Sequence, residues 1–460
     1  MKRDLKHVLL SIALIFVFVT TACALTGRSQ PTQELEQQPE PIQEATPEPA
    51  PTDTVEAAQP GATPEPKPTW TSVAGSESSS SSESMDEEVQ AGEGADGWPL
   101  TALGPEGGAR QGPYSDLWVD SDGNVWVSGE NGLFLKGGAS WIEYTDQPVE
   151  NILGKDDAGR LWAVLGGGER IGHVWNEFWM EFDTGSGWEP LPESQYLSPG
   201  FGDGVVTDPE GHVWLATGLN EVRRFDGNTA LWSSLTAEEI GFPAADADYQ
   251  GHFLTDVLVS ATGKVWVSEC SGEGETLVGH GIRYLDGGEW LQINATANDC
   301  VLDMELGPEG VIYAGAFDAL LQYDPARGKW TRIDLPVYAE PRRQLVFDLK
   351  LDTNGTPWIE TYVSGGASLF GSTALLRYDG EQWYPVFRPD IFSVMPYVLS
   401  PEGGFAYLCA ESMVYEYDGA GASAIGQVGA VQCALGIDRT GAVWVAELNS
   451  PDGGLWVYRE

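Results

Sequence analysis

From residue 96 onward, short apolar runs alternate with turns, and one unit keeps returning. Its clearest copy runs from Asp116 through Trp118, Asp120, Gly123 and Trp126 to Val127. An alternating apolar run enters a turn with glycine, and an aromatic residue follows inside a second run. The turn glycines are Gly123, Gly159, Gly211, Gly263, Gly310, Gly355, Gly403 and Gly441, spaced 36 to 52 residues apart. Three residues after most of them stands an aromatic: Trp126, Trp162, Trp214, Trp266, Tyr313, Trp358 and Trp444. In the seventh unit Tyr407 follows Gly404 instead. A third run ends in an aromatic followed by aspartate, as in Phe182-Asp183, Phe225-Asp226, Tyr323-Asp324, Tyr378-Asp379 and Tyr417-Asp418. A fourth carries another tryptophan: Trp141, Trp188, Trp232, Trp290, Trp330 or Trp383.

Four short strands per unit predict a propeller blade, with alternation burying one set of side chains between neighbouring blades. The repeated tryptophans are then core residues before anything else. The chain stops at Leu455-Trp456-Val457-Tyr458, which matches a third strand. The missing fourth has its pattern at the other end, in Asp96-Gly97-Trp98. The expected fold is therefore all-β: a single eight-bladed β-propeller over residues 96–460, with four-stranded blades and the last blade closed by residues 96–103. Closure of this kind removes open sheet edges.

The pattern D-x-x-G-x-[VL]-W-[VI] with a following Gly-Leu resembles the two-component regulator propeller repeats. In that family, tandem propellers form the extracytoplasmic sensor half of hybrid histidine kinases. No second propeller is found here, and no membrane helix or kinase follows. The resemblance thus implies the fold and a role in binding a ligand or partner, not signalling itself.

Residues 1–23 read as a secretion signal: Lys2, Arg3 and Lys6, then the apolar run Val8 to Val19, which is shorter than a membrane-spanning helix. It ends in Thr20-Thr21-Ala22-Cys23, which resembles the lipobox of bacterial lipoproteins. That resemblance implies acylation of Cys23 and an anchor on the outer face of a bacterial membrane, at the cell surface or in the outer membrane or periplasm. Residues 24–95 are rich in Pro, Glu and Ser, with repeats such as Thr63-Pro64-Glu65-Pro66 and the run Ser76 to Ser84. Such a segment buries too little apolar surface to offset chain entropy, so a disordered linker is expected, spanning roughly 45–50 Å as a coil.

Charge narrows the partners. With 24 Lys and Arg against 69 Asp and Glu, the net charge is −45. A nucleic-acid binder must supply cations to phosphates, so nucleic acid is excluded as a partner. CxxC and HExxH zinc or redox motifs are absent. Beyond Cys23 the cysteines are Cys270, Cys300, Cys409 and Cys433, an even number in an oxidising compartment. Cys270 and Cys409 fall at or just past the end of a second strand; Cys300 and Cys433 fall at the start of the next blade's first strand. Both places lie on one rim, which predicts the bridges Cys270–Cys300 and Cys409–Cys433.

Functional residues are sought where the chain departs from the repeat. Long insertions run from Gly166 to Trp179, Glu269 to Gly281 and Tyr362 to Ala374, and the link Ser233 to Phe253 reaches the same rim. Within them His173, Trp175, Glu177 and Trp179 alternate, so they share a face that suits a sugar or a cationic peptide if it does not pack on a neighbouring loop. Arg342 and Arg343 enter the sixth blade near the channel mouth, where they meet a carboxylate of ligand or protein. Asp246 and Asp248 with Glu238 and Glu239 could hold Ca²⁺, with a solvated acidic loop as the plainer reading. Asp120, Asp122 and Asn124 resemble the start of a calcium loop, but position twelve is Asn131, so they read as a turn. No resident metal or other cofactor is expected.

Three functions remain. The first is a non-catalytic, monomeric binding module whose loop-rich rim takes a small molecule, glycan or envelope protein. The second is a scaffold for envelope assembly. The third is an enzyme: the repeats also look somewhat like those of streptogramin lyases, which use a His/Glu pair with Mg²⁺. Here His280 with Glu269 or Glu273 is the one pairing that fits.

Overall fold

The computed structural model describes residues 101–103, 112–137, 140–171, 174–183, 188–190, 204–217, 220–243, 252–271, 278–336, 343–364, 372–388, 395–429, 432–450 and 453–459. The expected signal segment, Cys23 and the linker lie outside the described residues. Among these residues, eight four-stranded antiparallel sheets follow one another along the chain. Each expected unit forms one sheet, and the architecture is that of a β-propeller. The first strands are Tyr114–Val119, Val149–Lys155, Val205–Thr207, His252–Val259, Val301–Leu306, Arg343–Leu351, Tyr397–Leu399 and Cys433–Ile437, each at one edge of its sheet.

Sheet eight takes its fourth strand from the beginning of the chain. Thr101–Leu103 pairs antiparallel with Leu455–Tyr458, with Thr101 opposite Val457 and Leu103 opposite Leu455. Residues 96–100 of the expected closing segment lie outside the described residues.

The core is divided among the sheet interfaces. Trp126, Leu133, Ile152 and Leu161 join sheets one and two. Comparable clusters join each later pair. Sheet eight packs on sheet one through Trp444, Val457, Val127 and Trp141. The expected alternation fails in the second strands. Val125–Gly129, Ala406–Ala410 and Val443–Glu447 are buried at every position, because a sheet on either side covers both faces. The tryptophans after the turn are buried, and Trp162 and Trp358 are wholly enclosed. Trp232 and Trp290 of the fourth strands lie half-buried against the preceding sheet, and Trp141 is buried there.

The turn between first and second strands explains the repeat. At Gly123 φ is 76°, a left-handed conformation, and an added Cβ would lie 2.5 Å from Cβ of Arg439. The Gly123 N–H donates to the Asp120 carbonyl at 2.8 Å. One Asp120 carboxylate oxygen accepts the N–H groups of Asp122 and Asn124 at 3.1 and 2.8 Å, while the other accepts the Trp126 indole N–H at 3.1 Å. Asp156 with Trp162, Asp208 with Trp214 and Asp438 with Trp444 repeat the indole bond at 2.8–2.9 Å. The aspartate and the tryptophan of the repeat are thus one device that caps the turn and orients the core ring.

Candidate functional site

The first strands are edge strands, so their outward amides and carbonyls need partners. In three sheets an aspartate accepts such amides. Asp116 accepts the Leu117 N–H at 2.8 Å and, from sheet two, the Ile152 N–H at 2.9 Å. Asp256 accepts Val257 N–H at 2.7 Å and Met304 N–H of sheet five at 2.8 Å. Asp303 accepts Leu349 N–H of sheet six at 2.7 Å. A register shift just before each of these aspartates re-aims the side chain. The sequence reading did not single out these straps. Their signal was an aspartate inside an otherwise apolar first strand.

Beside these strands lies a cavity of about 1010 Å³. It follows the first strands of sheets seven and eight from Gln432 and Pro396 down to Pro401 and Arg439 in the turns, and touches sheets one and six and, at Glu305, sheet five. Its wall is apolar at Leu117, Val119, Leu351, Val398, Leu435 and Ile437. Its charged members include Asp116, Asp120, Lys350 and Asp438. The Lys350 ammonium donates to Asp348 at 2.7 Å and to the Tyr397 carbonyl at 3.1 Å, and lies 4.3 Å from the Tyr397 ring centre. Burial pushes the Tyr397 phenol well above its usual range, with Asp348 and Glu360 adding to it.

The carboxylates on and beside the first strands differ in kind. Burial raises Asp116 to about 6 despite its two backbone bonds. Burial also opposes ionisation of Asp120, but bonds from Lys155, Asn124 and Trp126 outweigh it and bring the group down to about 2. Burial alone lifts Glu150, on the first strand of sheet two, to about 7.

The residues named from the sequence are placed as follows. The four cysteines are joined as Cys270–Cys300 and Cys409–Cys433, which ties sheet four to five and sheet seven to eight. Glu269 and His280 meet: the wholly buried Glu269 carboxylate lies 3.0 Å from Nδ1 of His280 and accepts its backbone N–H at 2.8 Å, while Ser271 donates to the other oxygen. The imidazole is partly exposed. Trp175, Glu177 and Trp179 occupy alternate positions on Val174–Asp183, which pairs with Leu161–Ile171 in a long hairpin. Arg343 opens the first strand of sheet six. His173, Glu273, Arg342, Asp246 and Asp248 lie outside the described residues. Glu239 of the calcium group instead completes a capping box with Thr236 on the short helix Ala237–Ile240.

One acid and histidine trio, Asp208, Glu210 and His212, has ligand atoms within 4.8 Å of one another. The Asp208 carboxylate already accepts the Glu210, His212 and Trp214 N–H groups, and the Arg224 guanidinium stands 2.6 Å from Nε2 of His212. A cation there would face that fixed positive charge, so the trio reads as a turn. Asp120 and Asn124 likewise spend their polar atoms on the turn itself. Among the described residues no helix is long and apolar enough to cross a membrane.

No protein-family model matches the chain, and no curated protein matches it. Solved structures that are similar include the extracellular domain of a protein titled a hybrid two component system from B. thetaiotaomicron, with 14% identity and a TM-score of 0.36 over 76% of this chain and 51% of that one. The GH74 xyloglucanase from Xanthomonas campestris gives 14% identity and a TM-score of 0.46 over 76% of this chain and 59% of that one. YCF48 bound to D1 peptide gives 17% identity and a TM-score of 0.39, covering 68% and 93%. The chain spans about half the length of the sensor domain it matches. Likenesses this distant carry no argument about function.

Proposed function

We propose that the chain is a membrane-tethered, extracytoplasmic binding module. Its body is a closed eight-bladed β-propeller, held to the outer face of a bacterial membrane by an acylated Cys23 and the spacer 24–95. The packing of sheet eight on sheet one and the Thr101–Leu103 pairing support closure. The two disulfides support an oxidising compartment.

The observation that carries the reading is the cavity of about 1010 Å³ along the first strands, at the upper end of the size of small-molecule sites. This moves the expected ligand from the loop-rich rim to the channel. The repeat's own aspartates are spent on turns and straps, so they do not account for the cavity. A thermal-shift screen of the full chain against Ca²⁺ with EDTA control, cell-wall sugars, polysaccharides and peptides tests this. A ligand at 100 times its Kd adds about 2.7 kcal/mol to stability. No rise with any class would leave the envelope scaffold as the better reading.

One observation favours a second reading. Glu269 orients His280 as a buried carboxylate orients a general base. An enzyme using this pair loses turnover on His280→Ala while its fold stays intact.

A further inference from the structure

One backbone position of the first strands is treated in two ways. At Leu117, Val257, Met304 and Leu349 the N–H points away from the ladder and an aspartate accepts it. The register explains the direction. Asp352 N–H bonds to Thr356 carbonyl, which makes Leu351–Pro357 and, two residues on, Leu349–Ile359 non-hydrogen-bonded pairs. The same rule applies to sheets seven and eight. Cys409 N–H bonds to Pro396 carbonyl, so the Tyr397–Leu408 pair leaves the Tyr397 N–H off the ladder. Asp438 N–H bonds to Ala442 carbonyl, which does the same for Leu435 opposite Val445.

In these two sheets Pro396 and Ala434 stand where Asp256 and Asp303 stand in sheets four and five. No register shift interrupts either first ladder. Among the described residues no carboxylate accepts the Tyr397 or Leu435 N–H. Pro396, Tyr397, Ala434 and Leu435 all line the cavity, together with Lys350, whose ammonium bonds the Tyr397 carbonyl beside that amide. Sheet three also lacks the aspartate, but there the gap is shut: a Cβ on Gly204 would lie 2.2 Å from the Leu153 carbonyl oxygen.

We propose that the axial cavity binds a carboxylate-bearing ligand, whose oxygens take the Tyr397 and Leu435 amides as Asp256 takes those of Val257 and Met304. Lys350 is the nearby cation, and it already balances Asp348. This deepens the binding-module reading above and rests on it. The wall also carries Asp116, Asp120, Asp122, Glu305, Asp352 and Asp438, so the two amides and Lys350 must outweigh their repulsion for the ligand to bind. A cavity of this size calls for a molecule larger than acetate. The free carboxyl group of an organic acid and that of a peptide terminus offer the same chemistry.

Isothermal titration of the full chain with matched acid and amide probes separates these outcomes. The pairs are benzoate with benzamide, and trialanine with a free or an amidated C terminus. Either acid is expected to bind at least about tenfold more tightly than its amide. Benzoate alone would name a free organic acid, and trialanine alone a chain terminus. Pro396→Asp supplies the missing strap internally and should weaken acid binding at least about tenfold, whereas Pro396→Ala should not. Lys350→Met should weaken the acids more than the amides. Equal affinity for acid and amide, or unchanged binding in Pro396→Asp, overturns the carboxylate site but leaves a binding module. Failure of both acids overturns the site as well. Failure of every class in the wider screen would also remove the module reading.

Discussion

Sheets four and five and sheets seven and eight are built from one repeat, yet the outward edges of their first strands are treated differently. The first pair is held by the Asp256 carboxylate, which spans the interface to Met304, and by the Cys270–Cys300 bridge. The second pair has the Cys409–Cys433 bridge but Pro396 in place of the strap. Where the aspartate is present, edge amides are satisfied by the protein and the sheets close on each other. In sheets seven and eight, where it is absent, the same amides border a cavity that also touches strapped sheet one. An edge strand must find partners for its polar groups, and a repeat can supply them or leave them for a ligand.

The largest effect should come from the bridges. Removing either by a Cys→Ser pair opens a loop of 24 or 30 residues, and chain entropy puts the cost at about 3–4 kcal/mol each. Cys409→Ser with Cys433→Ser should also speed hydrogen exchange across sheets seven and eight. The matching change at Cys270 and Cys300 should disturb its interface less, because Asp256 still spans it. Equal local loosening in the two variants would count against the straps.

The strap itself comes next. Asp256→Ala leaves two buried amides without their acceptor and should cost about 3 kcal/mol in denaturant unfolding. Pro396→Ala removes no such acceptor and should stay within about 1 kcal/mol. Similar losses at the two positions would erase the distinction between strapped and open first strands.

Acidity should act on the strapped side in two directions. Burial raises Asp116 to about 6 and Glu150 to about 7, so the folded state prefers their neutral forms. Stability from these groups is present in full below about pH 4 and falls as pH climbs through 6 to 7. Asp120 is lowered to about 2, so its contribution is present above about pH 4 and is lost as pH falls towards 2. A melting-temperature profile should therefore peak near pH 4–5, and Glu150→Gln should flatten its neutral side. A profile unchanged by Glu150→Gln would remove that group from the balance.

The smallest contrast lies in the turns. Trp214 donates to Asp208 at 2.8 Å, whereas the Trp358 indole N–H and one Asp352 oxygen make no hydrogen bond. Trp214→Phe should cost about 1 kcal/mol more than Trp358→Phe in parallel melts. Indistinguishable costs would mean that the indole bond adds nothing to ring packing.

Much of this was legible in the sequence. Glycine after a fixed apolar run and tryptophan three residues on gave the four-stranded units, because each turn needs a left-handed residue and each wedge needs a large ring. The cysteines could be paired because a strand end and the next strand start share a rim. The straps were harder to read: Asp116, Asp256 and Asp303 look like ordinary acids in a chain that has 69 acidic residues. Only the register shows that their partners lie on a neighbouring sheet. The Glu269–His280 pair was legible as a pairing, but not the burial of its carboxylate. The cavity was not legible at all, since its lining comes from five sheets that only the fold brings together.

Amide hydrogen exchange resolved to single residues tests the central contrast most directly. The N–H groups of Leu117, Val257, Met304 and Leu349 should show protection close to that of global unfolding, while those of Tyr397 and Leu435 should exchange much faster and slow when an acid probe binds. Equal protection at all six amides in the free protein would contradict the division of the first strands into strapped and open ones.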